Sequence, residues 1–99
     1  MELATMEFDV AVWRDTLSDG SICYAAICPA VDRAHGQGDT EAEVDVADAM
    51  AIYLDHEPGK LKTGQAAQEA TSELVAELTA EGVVPWIRQV VPARNQVPA

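Results

Sequence analysis

The sequence predicts an α+β fold, a small antiparallel sheet in the order β-β-β-α-α-β with its helices packed on one face. Three observations predict it. Of two segments near the N-terminus, the first alternates side chains with a period of two, the second is largely apolar on both faces, and turn residues separate them. Two later segments repeat apolar residues every three or four positions, as amphipathic helices do. A β-branched segment follows them and predicts a last strand.

The first two strands are predicted as a hairpin over residues 6–14 and 21–29. Asp19 and Gly20 lie between them, and both residue types can take the positive φ angles that a hairpin loop needs. Both faces of the second strand are largely apolar. We therefore expect either a central strand covered on both faces or a strand that uses one face for self-association.

A glycine turn and a capped helix are predicted next. Gly36 and Gly38 bracket a residue where the backbone is expected to turn sharply, in a short edge-like strand over residues 34–38 with Gly36 as a bulge or close-approach point. Thr40 and the residue three positions on are expected to form a capping box that starts the helix. The residues of this structural turn and helix cap are Gly36, Gly38, Asp39, Thr40 and Glu43.

The first helix is predicted over residues 40–56, with one broad apolar face and an acidic stripe opposite. Ile52 falls inside the acidic stripe. An apolar residue among carboxylates is usually just exposed, although it can also be an interface contact. The residues predicted to bind a partner are Glu41, Asp45, Asp48, Ile52 and Asp55.

The second helix is predicted over residues 65–81, with Gly82 as its C-terminal cap. Its glutamates recur four residues apart and are interpreted as a solvated face. A last strand is expected within residues 83–91, at an edge or beginning at Trp86, because Pro85 cannot donate to a central ladder. Residues 1–99 are thus one domain. It comprises a core motif region (6–57), a second helix and last strand (58–91) and a flexible tail (92–99).

The net charge of −11 is unevenly distributed. Residues 1–57 carry 13 acidic and 2 basic residues, whereas residues 58–99 carry four of each. An acidic field repels phosphate backbones and attracts basic protein surfaces, so direct binding to nucleic acid is not expected. Solubility alone is the alternative explanation.

The remaining sequence features predict a cytoplasmic protein. No segment approaches the roughly 20 apolar residues of a membrane span, and the N-terminus lacks the pattern of a secretory signal. Cys23 and Cys28 are expected on opposite faces of one strand, too far apart for a disulfide, and therefore as free, mostly buried thiols.

No catalytic, cofactor or metal site is predicted. Most carboxylates of the first helix diverge into solvent, and their spacing lacks the glycine and terminal glutamate of a calcium loop. His35 and Asp39 could form an acid/base pair, but no nucleophile accompanies them, so a surface histidine is the simpler interpretation. Trp13 and Trp86 are expected to be core or interface anchors. We expect a protein that is not an enzyme.

Three groups of residues carry a resemblance to a known family. They are the end of the second strand (Ala26 to Pro29), the turn Gln37-Gly38-Asp39-Thr40, and the helix with Glu43 and Ala51-Ile52-Tyr53-Leu54. In this order they resemble the N-terminal domain of HicB-like antitoxins.

The spacing between the strand end and the turn fits the family pattern PDLPGC…QGDT without a gap. Asp32-Arg33-Ala34 stand where the pattern has Pro-Gly-Cys, and the interval from Thr40 to Tyr53 is shorter than in the family. The resemblance covers roughly half of the chain.

The resemblance implies a partial RNase H-like fold and a function, the neutralisation of a small basic RNA-cleaving toxin. Relatives often carry a DNA-binding module after this domain, but residues 58–99 are charge-neutral, so such a module is not expected here. A homodimer or higher oligomer is expected, because one small core does not readily hide this much apolar surface. The alternatives are a stand-alone oligomeric structural or regulatory protein and, less favoured, a nucleic-acid-binding regulator.

Overall fold

The computed structural model describes residues 7–40 and 42–92, without the side chains of residues 42–45 and of Pro58. The strands and helices follow one another in the predicted order. They are β1 (Phe8–Thr16), β2 (Ile22–Cys28), β3 (Ala34–Gly38), α1 (Ala42–His56), α2 (Gly64–Ala80) and β4 (Trp86–Val90), with a 3-10 turn at Pro58–Lys60. The predicted α+β class is confirmed.

The four strands form one sheet in the order β3-β2-β1-β4, and all neighbours are antiparallel. Ala11 of β1 lies opposite Ile27 of β2 on one side and Ile87 of β4 on the other. The last strand begins at Trp86 and occupies an edge, as predicted, and it pairs within its own chain. Because β2 lies inside the sheet, the first alternative for its apolar faces, a central strand, is confirmed.

The two helices lie on opposite faces of the sheet, so the prediction that both pack on one face is wrong. Val10 of β1 faces α1 and belongs to a core with Val46 and Met50. The next residue, Ala11, projects to the other face and contacts Leu74 of α2. The physical reason is the alternation of side chains in a strand: β1 and β2 are apolar on both faces, and a single helical layer cannot cover both.

The glycines of β3 do not make a sharp turn, contrary to the prediction. β3 pairs with β2 in unbroken register, with Gly36 opposite Ala26 and Gly38 opposite Tyr24, and no bulge interrupts residues 34–38. Their partners Ala26 and Tyr24 belong to or pack against the core that α1 covers, so both glycines lie on that face of the sheet. The role of Gly36 as a close-approach point stays a prediction.

The tight turn before β3 is made by two other residues. Asp32 and Arg33 have φ values of 48° and 58°, the left-handed region that residues other than glycine rarely adopt. The N–H of Ala34 donates to the carbonyl of Val31 over 2.8 Å and closes this turn. Positive φ at both central residues is the geometry of a type I′ turn, which suits the twist of the flanking strands.

The hairpin between β1 and β2 is confirmed, although only one of its two turn residues has the expected geometry. Gly20 has a φ of 90°, whereas Asp19 is not in the positive region. Asp19 acts through its side chain instead and accepts hydrogen bonds from the N–H and Oγ of Ser21, at 2.9 and 2.6 Å. These bonds hold the pKa of the Asp19 carboxyl below its usual range.

The C-terminus of α2 ends as predicted. Gly82 has a φ of 85°, and its N–H donates to the carbonyl of Thr79 over 3.0 Å. The next residue, Val83, donates to the carbonyl of Leu78 over 2.9 Å and packs against the same cluster. This pair of bonds is a Schellman motif. At the start of α1, the side chain of Glu43 lies outside the described residues, so the capping box stays a prediction.

Cys23 and Cys28 are both buried and free, as predicted. Burial raises the pKa of the Cys28 thiol to about 11. No helix in residues 7–40 and 42–92 is long and apolar enough to cross a membrane. Of the predicted tail, Pro92 is described and is buried, whereas residues 93–99 lie outside the described part of the chain.

Candidate partner-binding surface

The predicted partner-binding residues lie on the outward side of α1. Asp48, Ile52 and Asp55 are all exposed, and their spacing of four and then three residues aligns them in one stripe. The exposed fraction of Ile52 is 58%. Of the other two predicted residues, Glu41 and the side chain of Asp45 lie outside the described residues. The structure therefore brings three of the five together.

The inward side of α1 determines which residues face solvent. Val46, Ala47 and Met50 are buried against the sheet, and Met50 is completely inaccessible. Tyr53 and Leu54 are half-buried at the rim of the same core. Burial of this broad apolar stripe sets the rotation of the helix about its axis, and the acidic stripe consequently points away from the protein.

The outward side of α1 continues onto strand β3. An open hollow of about 390 Å³ lies between them and is lined by His35, Ala49, Ile52 and Tyr53. His35 is exposed on β3, and Ile52 supplies the exposed apolar wall on α1. The hollow could not be predicted from the sequence, because the contact between α1 and β3 that forms it leaves no local pattern.

Two cations of the chain are held by its own carboxylates. Arg33 donates to Glu77 through Nη2 to Oε2 at 2.6 Å and through Nη1 to Oε1 at 3.2 Å. The paired Arg33 guanidinium holds the pKa of Glu77 below its usual range, and Glu77 raises that of Arg33. Lys60 lies 3.7 Å from Asp32 and 3.6 Å from Glu57.

The glutamates of α2 are all exposed, as predicted for a solvated face, and two of them also accept hydrogen bonds there. Glu77 is tied to the β2–β3 turn, and Glu69 accepts a hydrogen bond from Gln65 within the helix at 2.9 Å. Arg33 is 44 residues from Glu77 in the sequence, so the spacing of the glutamates could not identify it as the partner of Glu77.

A second depression, of about 820 Å³, lies at the end of the sheet that carries the first hairpin. Trp86 and Tyr24 form one wall as an edge-to-face pair, with ring centroids 6.2 Å apart and planes at 75°. Trp13 lies on the opposite sheet face, against the α2 core. Both tryptophans are half-buried, and Val84 on the rim is 83% exposed. This depression could not be predicted from the sequence either, since three separate segments form it.

Neither depression has the donor set of a metal centre. Within the described residues, no group of three or more His, Cys, Asp and Glu side chains is placed to hold a metal ion. The stripe on α1 combines exposed carboxylates with an exposed apolar side chain at its centre. Comparisons with protein-family models, with curated proteins and with solved structures find no match for this chain.

Proposed function

We propose that this chain is a cytoplasmic, HicB-like protein-binding module that neutralises a small basic RNA-cleaving toxin and has no enzymatic activity itself. The observation that carries the proposal is the outward side of α1. There Ile52, 58% exposed, lies between Asp48 and Asp55 and beside the edge strand β3. An RNA-cleaving protein needs a cationic face to hold its substrate, and an acidic surface competes for that face.

The composition of the stripe suits this role. Long-range attraction between an acidic surface and a basic toxin raises the association rate, since the two are steered together before contact. A desolvated apolar side chain slows dissociation, because its burial is lost when the complex opens. Asp48 and Ile52 are one helical turn apart and therefore supply both contributions within one contact area.

The fold supports the resemblance at one position and departs from it at the next. Arg33 stands where the family pattern has glycine, and its φ of 58° is the geometry for which glycine is best suited. Asp32 stands where the pattern has proline, and its φ of 48° is one that proline cannot adopt. The β2–β3 meander with α1 against one face agrees with a partial RNase H-like fold, while α2 is an addition on the other face.

A stand-alone oligomeric structural module is the second candidate. Because both faces of β2 are covered within the chain, the support for self-association comes from β4. Ile87 and Val91 on that edge are 41% and 43% exposed. A dimer or higher oligomer is compatible with both candidates, so toxin binding is what separates them.

The test is co-expression of the chain with a small basic protein encoded beside its gene, followed by an RNA-cleavage assay. We expect the two proteins to co-purify and the wild-type chain to block cleavage. Asp48→Lys should weaken binding about tenfold or more, because it reverses a charge within the contact. Glu69→Lys is the matched control, an equal charge reversal on the exposed side of α2, and should bind like the wild type.

Two results count against the proposal. One is uninhibited RNA cleavage in the presence of excess wild-type chain. The other is equal weakening by Asp48→Lys and Glu69→Lys, which would indicate attraction by net charge without a defined surface.

A further inference from the structure

Within residues 7–40 and 42–92, strand β3 has an unpaired outer edge. It is the terminal strand of the sheet, and no described segment pairs with its outer side. Natural sheets usually protect such an edge with proline, lysine or a bulge. Residues 34–38 contain neither of those residue types, and their register with β2 is unbroken. The backbone of β3 is therefore able to accept another strand.

The opposite edge is less suited to a basic strand. Pro85 and Pro92 flank β4 and limit the length over which its backbone can donate hydrogen bonds. Carboxylates follow or adjoin β3, so a segment rich in lysine or arginine is better suited to that edge.

The surroundings of β3 indicate the chemistry of the added strand. Asp39 follows β3 directly, and Asp48 and Asp55 lie on the adjoining helix. The hollow of about 390 Å³ beside Ile52 opens next to the same strand and offers space for an apolar side chain. Charge and shape thus both favour an extended segment that alternates basic and apolar residues.

We propose that β3 binds its partner by strand addition. A basic extended segment pairs with the backbone of β3, inserts an apolar side chain beside Ile52 and places basic side chains near Asp48 and Asp55. Main-chain hydrogen bonds supply affinity in this mode, and the alternating side chains supply specificity. The inference rests on the proposed function, since it specifies how the basic partner would engage the same surface.

The test uses the full chain and a fluorescent heptapeptide, Lys-Val-Lys-Val-Lys-Val-Lys, with binding followed by anisotropy. Two further peptides carry backbone N-methyl groups on alternate residues. One is methylated at the lysines and the other at the valines. All three have the same charge and side chains. In an added strand only alternate amides face the sheet, so one methylated peptide should bind about tenfold or more weakly and the other nearly as well as the parent. A register slip by one residue is disfavoured, because it would turn the valines away from the hollow.

Two matched variants locate the site. Ile52→Lys should weaken binding of the parent peptide about tenfold, because it removes the apolar wall and adds a repelling charge. Ile87→Lys makes the same change at an exposed isoleucine on the opposite edge and should have no effect. In amide NMR spectra, the residues most shifted by the peptide should be 34–38.

Equal binding of the two methylated peptides, or equal effects of the two variants, would overturn strand addition. If strand addition is excluded in this way but Asp48→Lys still weakens binding of a basic toxin, the proposed function stands without strand addition. If the expected difference between the methylated peptides is found but no basic toxin is neutralised, strand addition stands and the proposed function fails.

Discussion

The guanidinium of Arg33 and the carboxylate of Glu77 share two hydrogen bonds, of 2.6 and 3.2 Å, across 44 residues of sequence. They join the β2–β3 turn to α2, which covers the other face of the sheet from α1. The two side chains are 51% and 49% exposed, so solvent screens the pair and its contribution to global stability is small. Its consequence is positional, because it holds the turn that leads into β3.

Glu77→Gln should flatten the dependence of stability on acid pH. Arg33 holds the pKa of Glu77 below the ordinary glutamate value of about 4.3 in the folded protein. The stability gained from this shift is complete above the ordinary value and is lost as the pH falls through the lowered pKa. Between pH 6 and 3 the melting temperature of Glu77→Gln should therefore fall less than that of the wild type.

Glu73→Gln is the control for this measurement, since Glu73 lies one turn away on the same exposed side of α2. Its melting temperature should fall with pH as the wild type does. A wild-type response in both variants would show that the bond between Arg33 and Glu77 does not persist in solution.

Substitutions at Asp32 should separate the two turn geometries. Asp32 has a φ of 48°, a region that glycine adopts without steric cost. Asp32→Gly should therefore leave the free energy of unfolding unchanged or raise it by up to about 1 kcal/mol. Asp32→Pro should lower stability by at least about 1 kcal/mol, since proline fixes φ near −65°. Urea unfolding measures both changes. An unaffected Asp32→Pro would mean that the turn can switch to the Pro-Gly geometry of the family pattern.

The strands could be predicted because local features, such as the alternation in β1 and the β-branched residues of β4, indicate them, whereas the placement of the helices could not. The faces of β1 are distinguished by neighbouring residues such as Val10 and Ala11, so their separation is visible in the sequence. Which helix covers which face depends on contacts between distant segments. The two glycines of β3 show a further limit, since glycine serves both for positive φ and for close approach, and only the register of β3 with β2 excludes the first use here.

Only part of the candidate site could be predicted, because local patterns are visible in the sequence and contacts between distant segments are not. Helical periodicity alone places Asp48, Ile52 and Asp55 on the outward side of α1. The hollow beside Ile52 also needs His35, which a sequence-local argument assigns only to a surface position. The chemistry of single residues was therefore predictable, but the shape of the surface that they form was not.

Gly82→Ala should destabilise the protein through backbone conformation alone. An added Cβ at Gly82 would meet no atom within 4 Å, but the φ of 85° would be strained for any residue with a side chain. The expected loss is about 1 kcal/mol in the free energy of unfolding. Gly59→Ala is the matched control, because its Cβ also meets open space and its φ is not in the positive region. Equal losses in both variants would exclude the cap as the cause.

Ionisation of Cys28 should make the protein less stable in alkaline solution. Burial raises the pKa of its thiol to about 11 in the folded state, whereas an unfolded cysteine ionises near 8.5. A raised folded-state pKa contributes stability that is complete below the unfolded value and lost as the pH rises through the folded one. The loss across this window is on the order of 3 kcal/mol.

Cys28→Ala removes this titration. The measurement therefore compares how steeply the unfolding free energy changes with pH in the two proteins. Between pH 8 and 11 the unfolding free energy of the wild type should fall more steeply than that of Cys28→Ala, because the two proteins differ only at this thiol. The variant will start from a lower stability, because the substitution leaves a cavity in the α1 core, but this offset does not change with pH. Parallel slopes would mean that the folded protein exposes the thiol to water.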